Sequence, residues 1–499
     1  MERCFTLPER WDREADVVVV GFGAAGMATA ITAHEAGARV LILEKAPESE
    51  AGGNTRVSLQ LWLSPIPVDR SIIYFNALCG AYTVMPEIAS AWAEEMARNT
   101  EWVKGLGGDP VLLDSGAEKA EFPELPGAEC VRTYRLRQGL GHEHLWKLLK
   151  TAVDMRRIEV LYATTGKELI QDPTTKEILG IKAEHEGKML SIKAKRAVAL
   201  TCGGFENNQE MIKNFLPDLP YCYPWGTPHN SGDGIKMAMA VGADLWHMNN
   251  IAGPLYQLKV PEFPTAMGLT PLNSASELLG GMIVVGANGR RFMNEKPRFA
   301  HGKMKINGQW TQSPTPCPMF MIFDHKQFSA GPLYDNNSSL GWTPLFKLYH
   351  WSSDNTAEVA KGWIKRANTI SELAEQIQLD ATVLEDTVNR WNHYCVMGKD
   401  LEYDRTKMLV SIKDGPFYAI EVSPGFLNTQ GGPRRNAKAQ IVRPDGSPIQ
   451  RLYSAGELGS IFSHLYQGGG NLGDCLASGR IAGRNAAAEK PWEGDNRLR

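Results

Sequence analysis

An apolar strand that runs directly into a glycine-rich turn is the feature that most constrains this fold. Residues 17–26 have the sequence VVVVGFGAAG, in which four valines lead into the pattern GxGxxG. Gly21 permits the tight turn, Gly23 lets the backbone approach a pyrophosphate, and Gly26 lets the next helix pack closely on the sheet. The helix predicted over residues 24–35 directs its N-terminal N–H groups at an anion. This opening therefore predicts a dinucleotide-binding βαβ unit.

The segment that follows supports the same prediction. Residues 38–43, ARVLIL, are predicted to form a second buried strand, and Glu44 lies 18 residues after Gly26. An acid at this place accepts a hydrogen bond from a ribose hydroxyl. Residues 51–58, AGGNTRVS, are predicted to be a loop against the cofactor because they combine paired glycines with small polar residues.

Composition excludes several classes of protein. The chain has 499 residues, 43% hydrophobic and 22% charged, which predicts a globular protein of two or more domains. A formal net charge of -3 gives no long-range attraction to nucleic acid. No apolar run approaches the roughly 18 residues of a membrane span, and the N-terminus is too charged for a secretory signal, so we expect a cytoplasmic protein without an integral membrane segment. Eight cysteines without any CxxC predict no metal site.

Several spaced motifs resemble one superfamily over nearly the whole chain. They are VVVVGFGAAG, LILEK, AGGNTR, LTCGGF, SGDGIKMA, VGANGRRFMNE, GGPRRNAKAQIV and LYSAGELG...GGGNLGDCLASGRIAG. Together they resemble the FAD-dependent fumarate reductase and 3-ketosteroid dehydrogenase superfamily, closer to the ketosteroid branch. The resemblance implies an α/β fold, with a Rossmann-like FAD-binding domain and an inserted α+β cap, or substrate, domain. The expected boundaries are 1–255 and 371–499 for the two parts of the FAD-binding domain and 256–370 for the cap.

The resemblance implies FAD as the cofactor, with flavin N5 exchanging hydride with one carbon of a CH–CH or C=C unit. The C-terminal AGE...GGGN segment implies FAD rather than NAD, because in this family it closes around the flavin. The residues expected to bind FAD are Gly21, Gly23, Ala24, Ala25, Gly26, Glu44, Lys45, Gly52, Gly53, Asn54, Thr55, Gly203, Gly204, Asp233, Gly456, Glu457, Asn471 and Leu472.

Within the superfamily, the fumarate branch binds two carboxylates with a His and an Arg of the C-terminal loop and an Arg after the RRFxNE motif. Here the loop positions are Ser463 and Gln467, and the position four residues past Glu295 is Phe299, preceded by Arg298. A buried dicarboxylate without cationic partners is unfavourable. The sequence therefore disfavours a dicarboxylate substrate.

The ketosteroid branch matches better in the C-terminal loop. There a Tyr hydroxyl and the backbone N–H of a Gly four residues later hold the 3-keto oxygen, and the matching residues are Tyr466 and Gly470. Phe299 replaces the Tyr that serves the Δ1-dehydrogenases as base, and Phe accepts no proton. The candidates for the proton-transferring group are Arg298, Ser463, His464, His301 and Tyr82.

These observations predict an FAD-dependent oxidoreductase that acts on a CH–CH or C=C bond next to a ketone of an apolar cyclic substrate. A 3-ketosteroid or similar enone is the expected substrate, which would place the protein in steroid metabolism. Two alternatives remain open: an α,β-unsaturated acid reductase that uses Arg298, and a flavoprotein subunit of an electron-transfer complex. The sequence identifies neither the electron partner nor the direction of the reaction.

Overall fold

The protein is described from a computed structural model that covers residues 7–219, 221–273, 276–298 and 300–492. Phe299, which the sequence analysis singled out, lies outside these described residues. The chain divides into two compact units. Unit 1 comprises the chain up to Leu216, Gly226–Ala252 and the chain from Asn428, and unit 2 comprises Pro217–Trp225 and Gly253–Leu427. Residues 371–427, expected in the second part of the FAD-binding domain, therefore lie in unit 2.

The strands, in chain order, are β1 (Arg13–Val20), β2 (Val40–Leu43), β3 (Trp62–Leu63), β4 (Pro110–Ser115), β5 (Arg132–Leu136), β6 (Glu159–Leu161), β7 (Thr164–Gln171), β8 (Ile178–His185), β9 (Lys188–Leu200), β10 (Tyr223–Pro224), β11 (Leu245–Trp246), β12 (Ile251–Ala252), β13 (Leu255–Gln257), β14 (Met282–Val285), β15 (Lys303–Ile306), β16 (Gln309–Gln312), β17 (Met319–Phe323), β18 (Ile364–Ala367), β19 (Phe417–Phe426), β20 (Asn428–Thr429), β21 (Gly432–Pro433), β22 (Gln440–Val442) and β23 (Pro448–Ser454).

The helices are α1 (Ala24–Glu35), α2 (Gly53–Val57), α3 (Val68–Cys79), α4 (Pro86–Met96), α5 (Asn99–Gly105), α6 (His144–Met155), α7 (Gln209–Phe215), α8 (Asp233–Ala240), α9 (His325–Phe328), α10 (Trp342–Leu345), α11 (Thr356–Ala360), α12 (Ile370–Gln376), α13 (Ala381–Met397) and α14 (Gly470–Ala488). Short 3-10 helices occupy Ala117–Lys119, Ala128–Cys130 and Thr270–Leu272. Among the described helices, none is long and apolar enough to cross a membrane.

Unit 1 is built on a sheet in the order β22-β23-β9-β1-β2-β6. Strands β23, β9, β1, β2 and β6 run parallel, whereas β22 pairs antiparallel with β23. Strands β7 and β8 continue antiparallel from β9. Connections through helices give such parallel strands, and the loops after their carboxyl ends form a crevice where the strand order reverses. The expected α/β fold is confirmed.

Close packing of α1 on α14 joins the two ends of the chain within unit 1. The first ten residues of α1, from Ala24 to Ala33, are all buried, which suits a helix made mainly of Ala, Gly and Thr. A Cβ on Gly479 would lie 2.7 Å from the Ala25 carbonyl oxygen, and one on Gly483 would lie 2.5 Å from that of Thr29. These two glycines therefore set how near the helices approach.

Unit 2 has an antiparallel core, with β14, β17 and β19 adjacent and β10, β13 and β18 also paired with β19. Aromatic side chains fill one side of it, where the rings of Phe263, Tyr349 and Trp363 lie 4.8–6.3 Å apart. Phe263 and Tyr349 both pack against the hydrophobic core of unit 2.

The RRFxNE motif forms a buried ion network in unit 2. Arg291 donates to both carboxyl oxygens of Glu295 at 2.8 Å and to Asp400 at 2.9 and 3.1 Å. Arg405 donates to Glu295 at 3.1 Å, and all four side chains are fully buried. The motif therefore has a structural task, which is to anchor the segment that leads to Arg298.

Candidate active site

A cleft opens at the carboxyl ends of β1, β2 and β9 in unit 1. Its lining combines backbone from the glycine turn after β1 with polar side chains from the loops after β2 and β9 and from α2 and α8. Of the residues predicted to bind the cofactor, the cleft is lined by Gly21, Gly23, Ala24, Ala25, Glu44, Lys45, Gly53, Asn54, Thr55, Gly203, Asp233 and Glu457.

The three glycines of the first turn differ in what surrounds them. Gly21 has a φ of +112°, and a Cβ there would lie 2.5 Å from the Thr201 carbonyl oxygen. A Cβ on Gly26 would lie 2.0 Å from the Gly21 carbonyl oxygen. At Gly23 the nearest atom is Thr55 Oγ1, 3.5 Å away, so this residue faces open space. Gly21 and Gly26 make the turn possible, and Gly23 leaves room for a ligand beside the backbone.

Glu44 closes the end of β2 and is held by backbone donors. Its carboxylate accepts the N–H of Phe22 at 2.9 Å and that of Ala46 at 2.7 Å. Burial raises the pKa of Glu44, and these two hydrogen bonds oppose that rise. The carboxylate therefore has a fixed position beside the glycine turn, where a ribose hydroxyl is expected.

Lys45 and Asp233 form a partly exposed ion pair on the wall of the cleft. Lys45 Nζ donates to Asp233 Oδ2 at 2.8 Å and to Ser231 Oγ at 2.6 Å. Asp233 is the first residue of α8. The pair links the loop after β2 to the start of α8, two segments that the sequence associated with the cofactor.

Asn54 lies between two acidic side chains. Its amide nitrogen is 3.1 Å from Glu206 Oε1 and 3.2 Å from both carboxyl oxygens of Glu457. The Asn54 oxygen accepts the Thr227 N–H at 3.0 Å. Burial and the neighbouring Glu206 raise the pKa of Glu457 well above its usual value. The carboxyls of Glu206 and Glu457 therefore lie close together at this wall of the cleft.

The cleft lining does not include six of the predicted residues: Gly26, Gly52, Gly204, Gly456, Asn471 and Leu472. Four of them are glycines at tightly packed positions. An added Cβ would contact Gly21 from Gly26, Trp146 from Gly52, Thr429 from Gly204 and Ala25 from Gly456. The prediction missed other lining residues, including Thr164, Thr165, Gly166, Thr201, Cys202, Thr227, His229, Asn230 and Cys475. Thr201 and Cys202 lie within the LTCGGF motif and Asn230 directly precedes SGDGIKMA, which is the signal that could have identified them. Thr164 begins β7 and belongs to no such motif.

Tyr466 lies in the loop before α14, four residues ahead of the first helical residue, Gly470. Its side chain is 8% exposed, and its hydroxyl oxygen accepts the N–H of Asn471 at 3.4 Å. Burial raises the pKa of Tyr466, so the phenol stays protonated at neutral pH. The Gly470 N–H, predicted to act together with this hydroxyl, donates to the Gln467 carbonyl oxygen at 2.9 Å. The structure therefore brings the two predicted groups together but engages the glycine within its own turn.

The other candidate catalytic residues have different environments. Ser463 is 5% exposed, and its hydroxyl donates to the Tyr82 carbonyl oxygen at 2.7 Å. The ring of His464 lies 5.5 Å from that of Tyr82. Arg298 belongs to unit 2, where it is exposed. Ser463 and His464 thus contact the segment after α3, and their catalytic roles stay predictions.

The donor set of the cleft fits FAD. Gly23 leaves a cradle that a side chain would fill, the first residues of α1 line the cleft, and Glu44 is fixed at the end of β2. A helix N-terminus next to glycine backbone suits a pyrophosphate, and a carboxylate suits ribose hydroxyls. Fold and cleft together define a dinucleotide-binding protein.

Comparison with protein families agrees with this class. Residues 16–472 match the family model described as FAD binding domain, and the chain belongs to this family. Its cofactor is therefore FAD, and the protein is an FAD-dependent oxidoreductase.

Named relatives fall in both expected branches. The chain is 28% identical to a fumarate reductase (cytochrome) of Shewanella frigidimarina, covering 95% of this chain and 77% of the relative. It is also 28% identical to a 3-oxosteroid 1-dehydrogenase of Mycolicibacterium smegmatis, covering 95% and 98%. The solved 3-ketosteroid Δ1-dehydrogenase of Sterolibacterium denitrificans has a TM-score of 0.75 at 24% identity, covering 95% of this chain and 100% of that one, so it shares the fold.

Proposed function

We propose that the protein oxidises or reduces a carbon–carbon bond next to a ketone of an apolar cyclic substrate, such as a 3-ketosteroid or similar enone. In this proposal the Tyr466 hydroxyl binds the ketone oxygen. Bound FAD supplies the hydride exchange, and the protein binds, orients and polarises the substrate.

The observation that carries the proposal is the position of the Tyr466 hydroxyl at the N-terminus of α14. This helix has 19 residues, and its N-terminal end carries a partial positive charge. The Tyr466 hydroxyl oxygen accepts a hydrogen bond from the Asn471 N–H. Accepting this bond makes the hydroxyl a stronger hydrogen-bond donor. Because negative charge develops on a ketone oxygen as its neighbour reacts, a donor placed there stabilises the transition state.

The loop before α14 supports a neutral substrate rather than a dicarboxylate. Residues 458–470 have the sequence LGSIFSHLYQGGG, without arginine or lysine. The two positions that matter for a carboxylate are occupied by Ser463 and Gln467, and both side chains make internal hydrogen bonds. A carboxylate bound against this loop would lack an arginine or lysine from it, which is unfavourable when water is excluded. The resemblance to the 3-oxosteroid 1-dehydrogenase of M. smegmatis supports the same choice.

Anaerobic rapid mixing, followed by the visible absorbance of the flavin, tests this proposal. Oxidised protein is mixed with saturated ketosteroids, and prereduced protein with enones, fumarate and other unsaturated acids. We expect bleaching by the ketones or reoxidation by the enones, with no response to matched steroids that carry an alcohol in place of the ketone. Reoxidation by unsaturated acids alone would overturn the proposal.

A second candidate, reduction of an α,β-unsaturated acid, is favoured by the exposed guanidinium of Arg298 and by the fumarate reductase relative. Arg298→Ala would then abolish turnover of acids, because a carboxylate loses its charged donor. Arg290→Ala is the matched control, since Arg290 is an exposed arginine eight residues earlier in the chain and pairs with Asp386 at 3.8 Å. Equal acid turnover in both variants would exclude this candidate.

A further inference from the structure

The carboxyls of Glu206 and Glu457 lie close together at the wall of the FAD cleft. Glu206 is the more deeply buried of the two and has no part in the proposed reaction. Glu206 is 1% exposed, and Glu457 lines the cleft in front of it. A Cβ placed on Gly204 would meet both, 2.8 Å from Glu206 Oε2 and 3.1 Å from Glu457 Oε1. Among the described residues, no lysine, arginine or histidine forms an ion pair with either carboxyl.

The hydrogen-bond donors around the pair are too few for two carboxylates. The Asn54 amide has two protons but lies within 3.2 Å of three carboxyl oxygens. Asn230 donates at 3.4 Å to Glu206 Oε1, which Asn54 also contacts, and the Gly204 N–H serves Glu457. Glu206 Oε2 is buried and has no hydrogen-bond partner within the described part of the chain. Such an oxygen costs about 1–3 kcal/mol, and more if it is charged, unless a donor is present.

A proton on one of the two carboxyls removes both difficulties. It supplies the missing donor as an O–H···O hydrogen bond, and it reduces the charge of the pair from two to one. Two carboxylates in one site do not both ionise near their usual pKa values, for the same reason. The thiol of Cys475 also faces Glu457, and burial raises the pKa of this thiol, so that it stays neutral.

We propose that Glu206 and Glu457 share one proton, and that FAD binds to this singly charged pair. Complete ionisation of the pair and FAD binding then oppose each other, because FAD brings two phosphate charges into the same cleft. Glu457 lines the cleft, whereas Glu206 is a positioning residue that acts through Glu457 and Asn54. By linkage, the protonated pair binds FAD more tightly, and bound FAD holds the proton more tightly.

Infrared spectroscopy of protein labelled with ¹³C-glutamate reads the proton directly, through the carboxylic acid C=O band. In wild-type apoprotein we expect this band at neutral pH and expect its titration midpoint to rise when FAD binds. In Glu206→Gln the midpoint falls by at least about one pH unit, because the neighbouring charge is gone. Glu210→Gln, the same change at an exposed position of α7, keeps the wild-type midpoint.

FAD affinity, measured by quenching of flavin fluorescence, gives the second readout. The FAD dissociation constant of the wild type should rise by up to about tenfold per pH unit above the midpoint, and that of Glu206→Gln should show this rise at lower pH.

Absence of the carboxylic acid band in the wild type at neutral pH, or equal midpoints in the wild type and Glu206→Gln, would overturn the shared proton. An unchanged midpoint on FAD binding would overturn the coupling. The wild-type spectra decide both questions if Glu206→Gln does not fold.

Discussion

The backbone N–H of Asn471 donates to the hydroxyl oxygen of Tyr466, which places a buried phenol at the N-terminus of α14. This bond fixes the hydroxyl relative to the helix, and the ring packs edge-on against Phe462, with 5.2 Å between ring centroids. A donor held by its surroundings needs little reorganisation when charge develops on a bound oxygen. The relationship therefore explains how a single loop residue serves as a preorganised donor in the proposed reaction.

Of the glycines in the first turn, we expect Gly26 to be needed for folding and Gly23 to be needed mainly for FAD binding. Gly26→Ala should lower the free energy of unfolding and the FAD content together, because its Cβ would lie 2.0 Å from backbone. Gly23→Ala should fold within about 1 kcal/mol of the wild type, since Ala is only a poorer N-cap than Gly there. It should nevertheless raise the FAD dissociation constant, because the methyl group occupies the space beside the backbone. Denaturant unfolding of the apoproteins and FAD titration measure the two effects, and equal effects of the two changes would contradict this division.

We expect the Gln467 side chain to hold the loop before α14 in place. Its side-chain oxygen accepts the Tyr74 hydroxyl at 2.8 Å and the Glu121 N–H at 2.9 Å. Gln467→Met should lower the free energy of unfolding by about 2–4 kcal/mol, because two donors lose their acceptor. Gln450→Met, the same change at an exposed position of β23, should stay within about 0.5 kcal/mol of the wild type. Chemical denaturation checks both, and an equally small effect at Gln467 would show that the loop does not depend on this side chain.

His247 predicts a loss of stability in acid. Burial lowers its pKa to about 4, and a ring nitrogen lies 2.7 Å from the Ser460 carbonyl oxygen, which places the N–H on that nitrogen. The unfolded chain binds a proton near the ordinary histidine pKa of about 6.5, so stability falls as pH drops from there towards 4, by up to about 3 kcal/mol. His247→Phe keeps a ring beside Trp246 but cannot be protonated, and should flatten this part of the pH profile.

The control for this prediction is His393→Phe on α13, where the histidine is exposed. Its unfolding free energy should follow the wild-type pH profile between about pH 4 and pH 6.5. If His247→Phe follows that profile as well, another group causes the acid sensitivity.

Local patterns predicted the regular elements well. The expected helix over residues 24–35 is α1 with the same bounds, because its glycine start and the glycine after it mark both ends. The runs 188–192 and 197–200 predict two strands, but they form one strand, β9, because Lys193 and Ala194 between them pair with β1. Residues 51–58 were expected to be a loop, but Gly53–Val57 forms the short helix α2. These differences arise where pairing and packing, rather than local sequence, decide the conformation.

The site was predictable only in part, because its chemistry depends on residues far apart in the chain. Glu206 directly follows the LTCGGF motif, but nothing local indicates that it approaches Glu457, 251 residues later. The pattern YQGGG predicted that Tyr466 and Gly470 lie together, but not that the glycine N–H donates to the Gln467 carbonyl. The sequence motifs indicate which functional groups lie near the site, whereas the hydrogen-bond partners of these groups depend on the folded structure.

The most direct test of the central claim compares Tyr466→Phe with Tyr453→Phe, using the enone that reoxidises the prereduced wild type fastest. Tyr453 is a matched control because its buried ring also loses one hydroxyl, which donates to Glu489 at 2.7 Å just beyond the opposite end of α14. We predict that Tyr466→Phe lowers kcat by about 10²–10³-fold with an unchanged flavin spectrum. Tyr453→Phe should lower Tm while kcat stays that of the wild type. Wild-type kcat in Tyr466→Phe would contradict the account.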